Sequence, residues 1–460
     1  VKKISYLHKL FVSLITIALL TTAVTIPANA EEVDTLNINA SAAILIDFET
    51  GKVLYDKNAD TLLPVASMTK MMTEYLLLEA IHDGKLAWDD EYEVSEVVYH
   101  ISQQYPALSN VPLRRDGVYS VRELYEAMAI YSANGATIAL AEMVAGSETN
   151  FVRMMNEKAG ELGLEDYEFI NSTGLNNEDM GGYHPEGTAP DAETRLSARA
   201  TAKLAYHLIH DFPEILETAS IPKKVFREGT SDAIDMPNWN WMVSTERYAF
   251  NKDGAVVDGL KTGSTLNAGY CFTGTVEHNG KRLITVVMNA TKDESNTEQL
   301  PPQAFRFLET ARMFSYGLDN FNLVELFPEG YQPEETTLPV IKGKDKEVEI
   351  ATVEPLNMMV KRGEEEQFEP VFVINEELLN ENGELIAPIE KGTKIGYFTV
   401  EYTGGQDLGY LYDDGSVGTV DVVTVADVQK ANWFVLVMRG IGGFFGDIWS
   451  SVASTVKGWF

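Results

Sequence analysis

A serine followed three residues later by a lysine places a hydroxyl and an amine on one face of a helix. There the amine can take the hydroxyl proton and ready the oxygen for attack on an acyl carbon. Three stretches have this spacing, Ser67 to Lys70, Ser220 to Lys223 and Ser454 to Lys457, and their surroundings separate them. After Ser67, the residues Met68, Met71, Met72, Tyr75 and Leu76 define an apolar stripe at helical spacing, while Ser67, Lys70 and Glu74 share another face. Pro64 fits a helix that begins near Ser67. Ser220 is followed by Pro222, which disfavours helical geometry just before it, and Ser454 sits in the terminal apolar stretch. Ser67 is therefore the candidate nucleophile and Lys70 its base. A lysine is protonated at neutral pH unless burial or a second cation favours the free amine. Lys261 is the candidate second cation.

Two further motifs join the first. Ser132-Ala133-Asn134 is the only Ser-x-Asn in the chain and falls where the pattern predicts a loop between two helices, which can aim both side chains into a cleft. Lys261-Thr262-Gly263 also occurs once and closes a predicted strand ahead of Ser264. A strand edge offers main-chain hydrogen bonds to a peptide, and Gly263 lets that peptide approach closely. Taken singly, each motif reads as a helix cap or a turn.

The elements that must hold these residues show in the patterning. Ala42 to Phe48 and Lys52 to Lys57 flank Glu49-Thr50-Gly51 and read as strand, turn and strand. Val256 to Lys261, Gly269 to Glu277 and Lys281 to Asn289 read as three antiparallel strands, the last two joined at Asn279-Gly280. Between these parts the pattern is helical. Ser120 with Glu123 forms a capping box for a helix from Val121 to Tyr131, and a second helix from Ala136 to Ala145 is stopped by Gly146. Helical periods recur from Ser147 to Leu162, Ser197 to His210 and Gln303 to Tyr316, with His207 and His210 expected on a helix surface. Strands at both ends with helices between predict one antiparallel sheet whose outer strands come from distant sequence, an α+β domain. After about Asn320, short alternating runs such as Glu347 to Ala351, Phe368 to Ile374 and Lys394 to Glu401 predict a small all-β domain.

In order along the chain, Ser67-Met68-Thr69-Lys70, Ser132-Ala133-Asn134 and Lys261-Thr262-Gly263 resemble the active-site signature of penicillin-binding proteins and serine β-lactamases, with Ala133 where that signature has Asp. Asn171-Ser172-Thr173-Gly174-Leu175, Asn238-Trp239-Asn240 and Asp258-Gly259-Leu260 look like low-molecular-mass D,D-carboxypeptidases of the peptidase S11 family, over roughly Ala42 to Leu318. The resemblance implies a catalytic domain of the β-lactamase and penicillin-binding-protein fold, followed by a small all-β domain and a C-terminal amphipathic helix. It implies a reaction too. Ser67 attacks the bond between two D-alanines of a peptidoglycan stem peptide, with Lys70 as proton acceptor and Ser132 as proton relay to the leaving D-alanine. Asn134 holds the substrate amide, Lys261 and Thr262 bind the terminal carboxylate beside Gly263, and the N–H groups of Ser67 and Ser264 form the oxyanion hole. β-Lactam antibiotics are then covalent inhibitors, and no cofactor is required. A β-lactamase of the same fold, which lacks the β domain and the terminal segment, and a non-catalytic peptidoglycan-binding protein are the alternatives.

The 460 residues are 45% hydrophobic and 23% charged, enough apolar material for more than one core, and the formal net charge of −33 repels nucleic acid. The histidines form no His-Glu-x-x-His or comparable cluster, so no metal site is expected. Gly-x-Ser-x-Gly, a P-loop and a Gly-x-Gly-x-x-Gly fingerprint are absent as well. Cys271 is the single cysteine, which leaves no disulfide within the chain. Lys2, Lys3 and Lys9, an apolar stretch from Leu10 to Ile26 and then Ala28-Asn29-Ala30 read as a secretory signal cleaved before Glu31. At the other end, Ile441, Phe444, Phe445, Ile448, Trp449, Val452, Val456 and Trp459 recur at helical spacing, interrupted by Arg439, Asp447 and Lys457. That pattern suits a helix lying in a membrane interface. The expected division is a signal peptide at 1–30, a catalytic domain at 31–320, a β-rich domain at 321–428 and an amphipathic anchor at 429–460. The expected location is the outer face of the bacterial cytoplasmic membrane.

Overall fold

The computed structural model describes residues 36–104, 107–292, 297–332, 337–405, 407–412 and 418–438. One compact unit begins at Asn39; of the unit before it only residues 36–38 are described, and they hold no helix or strand. The expected signal peptide and the helical repeat from Ile441 onward lie outside the described residues.

Chain-distant strands build the central sheet. Strands β1 (Ala42–Asp47) and β2 (Val53–Lys57) occupy one edge, and β3 (Ala255–Thr265), β4 (Gly269–His278) and β5 (Lys281–Met288) complete it in the order β3-β4-β5-β1-β2. Every neighbouring pair is antiparallel, with Ala42 opposite Met288. Asn279 and Gly280 both have positive φ, as the two-residue turn between right-twisted strands requires. β3 is the other edge strand. It runs through Lys261-Thr262-Gly263 to Thr265, so the motif lies within the strand and does not close it; pairing with β4 continues to Thr265 opposite Gly269.

The longer helices are α1 (Lys70–His82), α2 (Glu96–Ser102), α3 (Val121–Tyr131), α4 (Asn134–Ala145), α5 (Glu148–Glu161), α6 (Ala198–Asp211) and α7 (Phe305–Asn320). Ser120 and Glu123 form the capping box at α3, and Ser147 and Ser197 cap α5 and α6. α6 and α7 both pack on β5. Every residue from Leu283 to Met288 is buried, as in a strand covered on both faces. Met71, Met72 and Leu76 of α1 bury the apolar stripe against this core, each side chain contributing about 1.5–3 kcal/mol.

α7 leads directly into β6 (Phe321–Phe327), the start of an all-β region. β7 (Thr337–Ile341), β8 (Glu347–Thr352), β9 (Leu356–Lys361), β10 (Phe368–Ile374), β11 (Leu385–Ile386), β12 (Lys394–Tyr402) and β13 (Val420–Thr424) follow. β6 pairs with β9, and a six-stranded sheet has the order β10-β12-β13-β8-β7-β11. Its core is a separate cluster that includes Ile350, Met358, Val360, Ile395 and Phe398.

A strap from this β region, Asp407–Tyr412, lies along the β2 edge. Leu411 N donates to Gly51 O (2.8 Å), Val53 N donates to Gly409 O (3.1 Å), and Lys52 pairs with Asp407. The strap corrects one expectation. His207 is half-buried, because Tyr412 Oη lies 2.6 Å from its Nε2, and burial lowers its pKa. Its helical period points it outward from the catalytic core, but a residue two hundred positions away covers it.

Candidate active site

Residues Ala66–Thr69 form a 3₁₀ turn ahead of α1. The expected helix therefore starts at Lys70, and Ser67 sits in the tighter turn before it. With three residues per turn, side chains at i and i+3 eclipse one another, and Lys70 Nζ stands 2.9 Å from Ser67 Oγ. Ala66 has φ +47 and its carbonyl accepts from Thr69 Oγ1. Against the same carbonyl packs Gly174, whose φ is +75; a Cβ there would meet Ala66 O at 1.9 Å. Only glycine allows that approach.

Lys70 is 1% exposed. Its Nζ has two partners besides Ser67, Asn134 Oδ1 at 2.8 Å and Thr173 O at 2.7 Å. Both are acceptors only, whereas a serine hydroxyl also donates. A neutral amine therefore spends its two N–H groups on Asn134 and Thr173 and turns its lone pair toward the Ser67 hydroxyl. Burial, and after it the charge of Lys261, holds the Lys70 pKa well below the usual lysine value, with Glu148 opposing. The geometry thus favours the form of lysine that can accept a proton.

Thr173 owes its position to a buried turn. Asn171 Oδ1 accepts from Thr173 N, Thr173 Oγ1 and Gly174 N, while the Glu148 carboxylate accepts from both N and Oγ of Ser172. Burial raises the Glu148 pKa to about 7 despite those two bonds.

Ser132 caps α3 in a left-handed conformation, and Ala133 alone separates it from α4. That short corner turns Ser132 Oγ to within 3.0 Å of Lys261 Nζ, which also lies 3.1 Å from Thr262 O. Asn134 Nδ2 donates to Ser109 O (3.0 Å), which leaves its Oδ1 toward Lys70. Burial holds the Lys261 pKa down to about 7, Glu74 raising it and Arg306 lowering it further. Gly263 passes so close to the chain at Val65 that a Cβ would meet Val65 O at 2.4 Å.

Ser67, Ser132, Thr262 and Ser264 open onto one cleft of about 300 Å³, walled by Ser109, Trp239, Trp241, Tyr270, Gln303 and Arg306. Lys70, Asn134, Lys261 and Gly263 are buried beside them. All eight residues predicted from the three motifs and Ser264 therefore meet at one place. The rival serines do not. Ser220 caps a short helix and bonds Glu217 O, while Ser454 lies outside the described residues. A larger cavity of about 540 Å³ lies beside Arg199, Lys203 and the strap; it contains no motif residue, and its cations are already bonded to Asp56, Asp60 and Gly163. No cluster of three metal-ligating side chains occurs among the described residues.

The sequence profile of peptidase S11, D-alanyl-D-alanine carboxypeptidase, matches residues 28–292, more than half of the chain. The chain belongs to this family. A second profile, the C-terminal domain of penicillin-binding protein 5, matches residues 321–430. Among relatives of this carboxypeptidase-family chain, the D-alanyl-D-alanine carboxypeptidase DacF of Bacillus subtilis is 32% identical over 88% of this chain and 89% of its own length. The D-alanyl-D-alanine carboxypeptidase DacC of Escherichia coli is 30% identical over 94% and 92%. A peptidoglycan synthesis regulatory factor, PBP3, of Streptococcus pneumoniae superposes with a TM-score of 0.66 at 32% identity, covering 85% of this chain and all of its own. Penicillin-binding protein 5 of Haemophilus influenzae gives 0.65 at 25% identity, covering 85% and 98%.

Within this family member, three contributors to the site were given no role by the motif reading. Arg306 of α7 is buried, and its Nη1 reaches Ser264 Oγ (2.8 Å) and Gly263 O (3.1 Å). Its signal was a cation set between Phe305 and Phe307 in the first turn of the helix. Thr173 acts through a carbonyl, which no side-chain pattern reveals. Glu148 looked like an ordinary acid in the first turn of a helix.

Proposed function

We propose that this family member is a serine D,D-carboxypeptidase that removes the terminal D-alanine of peptidoglycan stem peptides and is acylated by penicillin. The observation that carries the reading is the buried amine of Lys70, held by two pure acceptors with the Ser67 hydroxyl at its third position. Ser67 Oγ attacks the carbonyl between the two D-alanines as Lys70 Nζ takes its proton, and the N–H groups of Ser67 and Ser264 receive the developing oxyanion. Ser132, bonded to Lys261, returns a proton to the departing D-alanine nitrogen. Water then cleaves the acyl-enzyme and frees Ser67. Asn134 holds the substrate amide, and the free edge of β3 at Gly263 pairs with the peptide main chain. Lys261, Thr262 and Arg306 form the cationic end that accepts the terminal carboxylate.

Catalysis is assigned to residues 31–320, with residues 321–428 as a β-rich stalk. Export through a signal at 1–30 and attachment by 429–460 complete the reading, with the enzyme on the outer face of the cytoplasmic membrane. Support for attachment comes from the start of that segment. Residues 433–438 are helical, and Trp433, Phe434, Val437 and Met438 are 49–75% exposed, a cluster of large apolar side chains suited to a lipid boundary. No helix among the described residues is long and apolar enough to cross a membrane. One comparison tests both parts. Chains 31–460 and 31–429 should release D-alanine equally from a soluble peptide ending in D-Ala-D-Ala, and only the longer should sediment with lipid vesicles. Absence of D-alanine release would overturn the activity, and equal vesicle binding would overturn the anchor.

A further inference from the structure

The run Asn238-Trp239-Asn240-Trp241 alternates two buried amides with two half-buried indoles. The amides are spent on the chain itself. Asn238 Nδ2 donates to Ala219 O and Ile221 O (both 2.9 Å), and its Oδ1 accepts from Asn240 N (2.8 Å). Asn240 Oδ1 caps the short helix Trp241–Ser244 at Met242 N (3.1 Å), while its Nδ2 donates to Gly259 O of β3 (3.2 Å). That anchoring leaves both indoles on the wall of the cleft that Ser67 opens onto. Each is backed by further rings. Trp239 stacks on Tyr131 with centroids 5.6 Å apart, and its Nε1 donates to Tyr131 O (2.9 Å). Trp241 stacks on Tyr248 at 5.2 Å and leans on Phe307 at 5.7 Å, which rests in turn on the fully buried Phe272. Rings packed in this way cannot retreat from a larger neighbour without strain elsewhere.

The backing rings place the two indoles relative to the reaction. Tyr131 immediately precedes Ser132, which serves the nitrogen of the departing residue, and Phe307 immediately follows Arg306, which with Thr262 receives its carboxylate. Arg306 Cζ lies 4.9 Å from the centroid of the Phe307 ring. The departing residue spans these two ends, so the wall beside it is the one the indoles form. We propose that Trp239 and Trp241 bound the pocket for the side chain of the departing residue and restrict it to one about the size of a methyl group. The inference rests on the carboxypeptidase activity proposed above and extends it from the bond cleaved to the residue accepted. A branched side chain in that space would have to displace an indole held by Tyr248 and Phe307, and overpacking of this kind is unfavourable. Trp241 is the residue to change, because Trp239 also holds the Tyr131 carbonyl next to Ser132.

The test is a ratio of kcat/KM in the full chain, for two soluble peptides that differ only in ending in D-Ala-D-Leu or D-Ala-D-Ala. The wild type favours the D-alanine peptide about a hundredfold, and Trp241→Ala raises the relative rate on the D-leucine peptide about tenfold, the discrimination that a few methylenes give in an apolar pocket. Trp241→Phe keeps a ring against Tyr248 and Phe307 but removes part of its volume. It moves the ratio the same way by less, and decides the question if the alanine variant does not fold. A second pair of peptides, with lysine or alanine as the third residue from the end, reads the acyl side of the cleft, and its ratio stays at the wild-type value. Proportional loss on the D-leucine and D-alanine peptides, as from a role in packing alone, would overturn the inference, and so would a change confined to the acyl-side pair. Absence of D-alanine release by the wild-type chain would instead contradict the proposed activity on which it rests.

Discussion

Lys70→Ala is expected to leave a folded protein whose Ser67 is acylated by penicillin about three to four orders of magnitude more slowly than in the wild type. The size follows from what the amine does. A serine hydroxyl without a base is a poor nucleophile, and a positioned general base contributes on the order of 10²–10⁴-fold. The upper end applies because no other amine lies within hydrogen-bond distance of Ser67 Oγ among the described residues. Folding should survive. The substitution removes a buried amine that is costly to desolvate, which offsets the loss of its bonds to Asn134 and Thr173, and water can enter from the cleft to satisfy those acceptors. Thermal melting checks the fold and stopped-flow acylation checks the rate. Near wild-type acylation in the folded variant would refute the role of Lys70.

The second large effect concerns the substrate. A stem peptide whose terminal carboxylate is amidated should be cleaved with a kcat/KM about 10²–10³-fold below that of the acid. Lys261 and Arg306 are buried at the end of the cleft, and their pKa values are pushed down to about 7 and about 10 by burial. Each gains from the substrate carboxylate, and a neutral amide withdraws that anion from both. Charge-assisted bonds in a desolvated site are worth roughly 2–5 kcal/mol when one partner is removed, which sets the expected ratio. Steady-state kinetics on the paired peptides measure it. Equal kcat/KM for acid and amide would mean that these cations do not hold the carboxylate.

Much of this was legible because the relevant physics is local. The i to i+3 spacing of Ser67 and Lys70, the Ser120 capping box and the Asn279-Gly280 turn each act over a few residues, and each has its expected place in the fold. The order of the Ser67–Lys70, Ser132–Asn134 and Lys261–Gly263 motifs along the chain carried the family resemblance. What stayed hidden depends on long-range packing. Thr173 reaches Lys70 across 103 residues by a backbone carbonyl, so its side-chain identity says nothing about the contact. Arg306 joins the cleft only because α7 packs on the sheet beside β3 and β4. The 3₁₀ turn at Ala66–Thr69 replaced the expected first turn of helix because Ala66 adopts a positive φ, with Gly174 and Val65 crowding the same corner. His207 changed from surface to half-buried through Tyr412, a contact across 205 residues that no helical period can announce.

Acylation of one particular serine is the claim on which the rest depends, and peptide mapping after labelling decides it. The full chain is incubated with penicillin, digested, and the covalent adduct located by tandem mass spectrometry. A single adduct on the peptide carrying Ser67, absent from Ser67→Ala, is the expected result. An adduct on Ser220 or Ser454, or none on Ser67 in folded protein, would contradict the account.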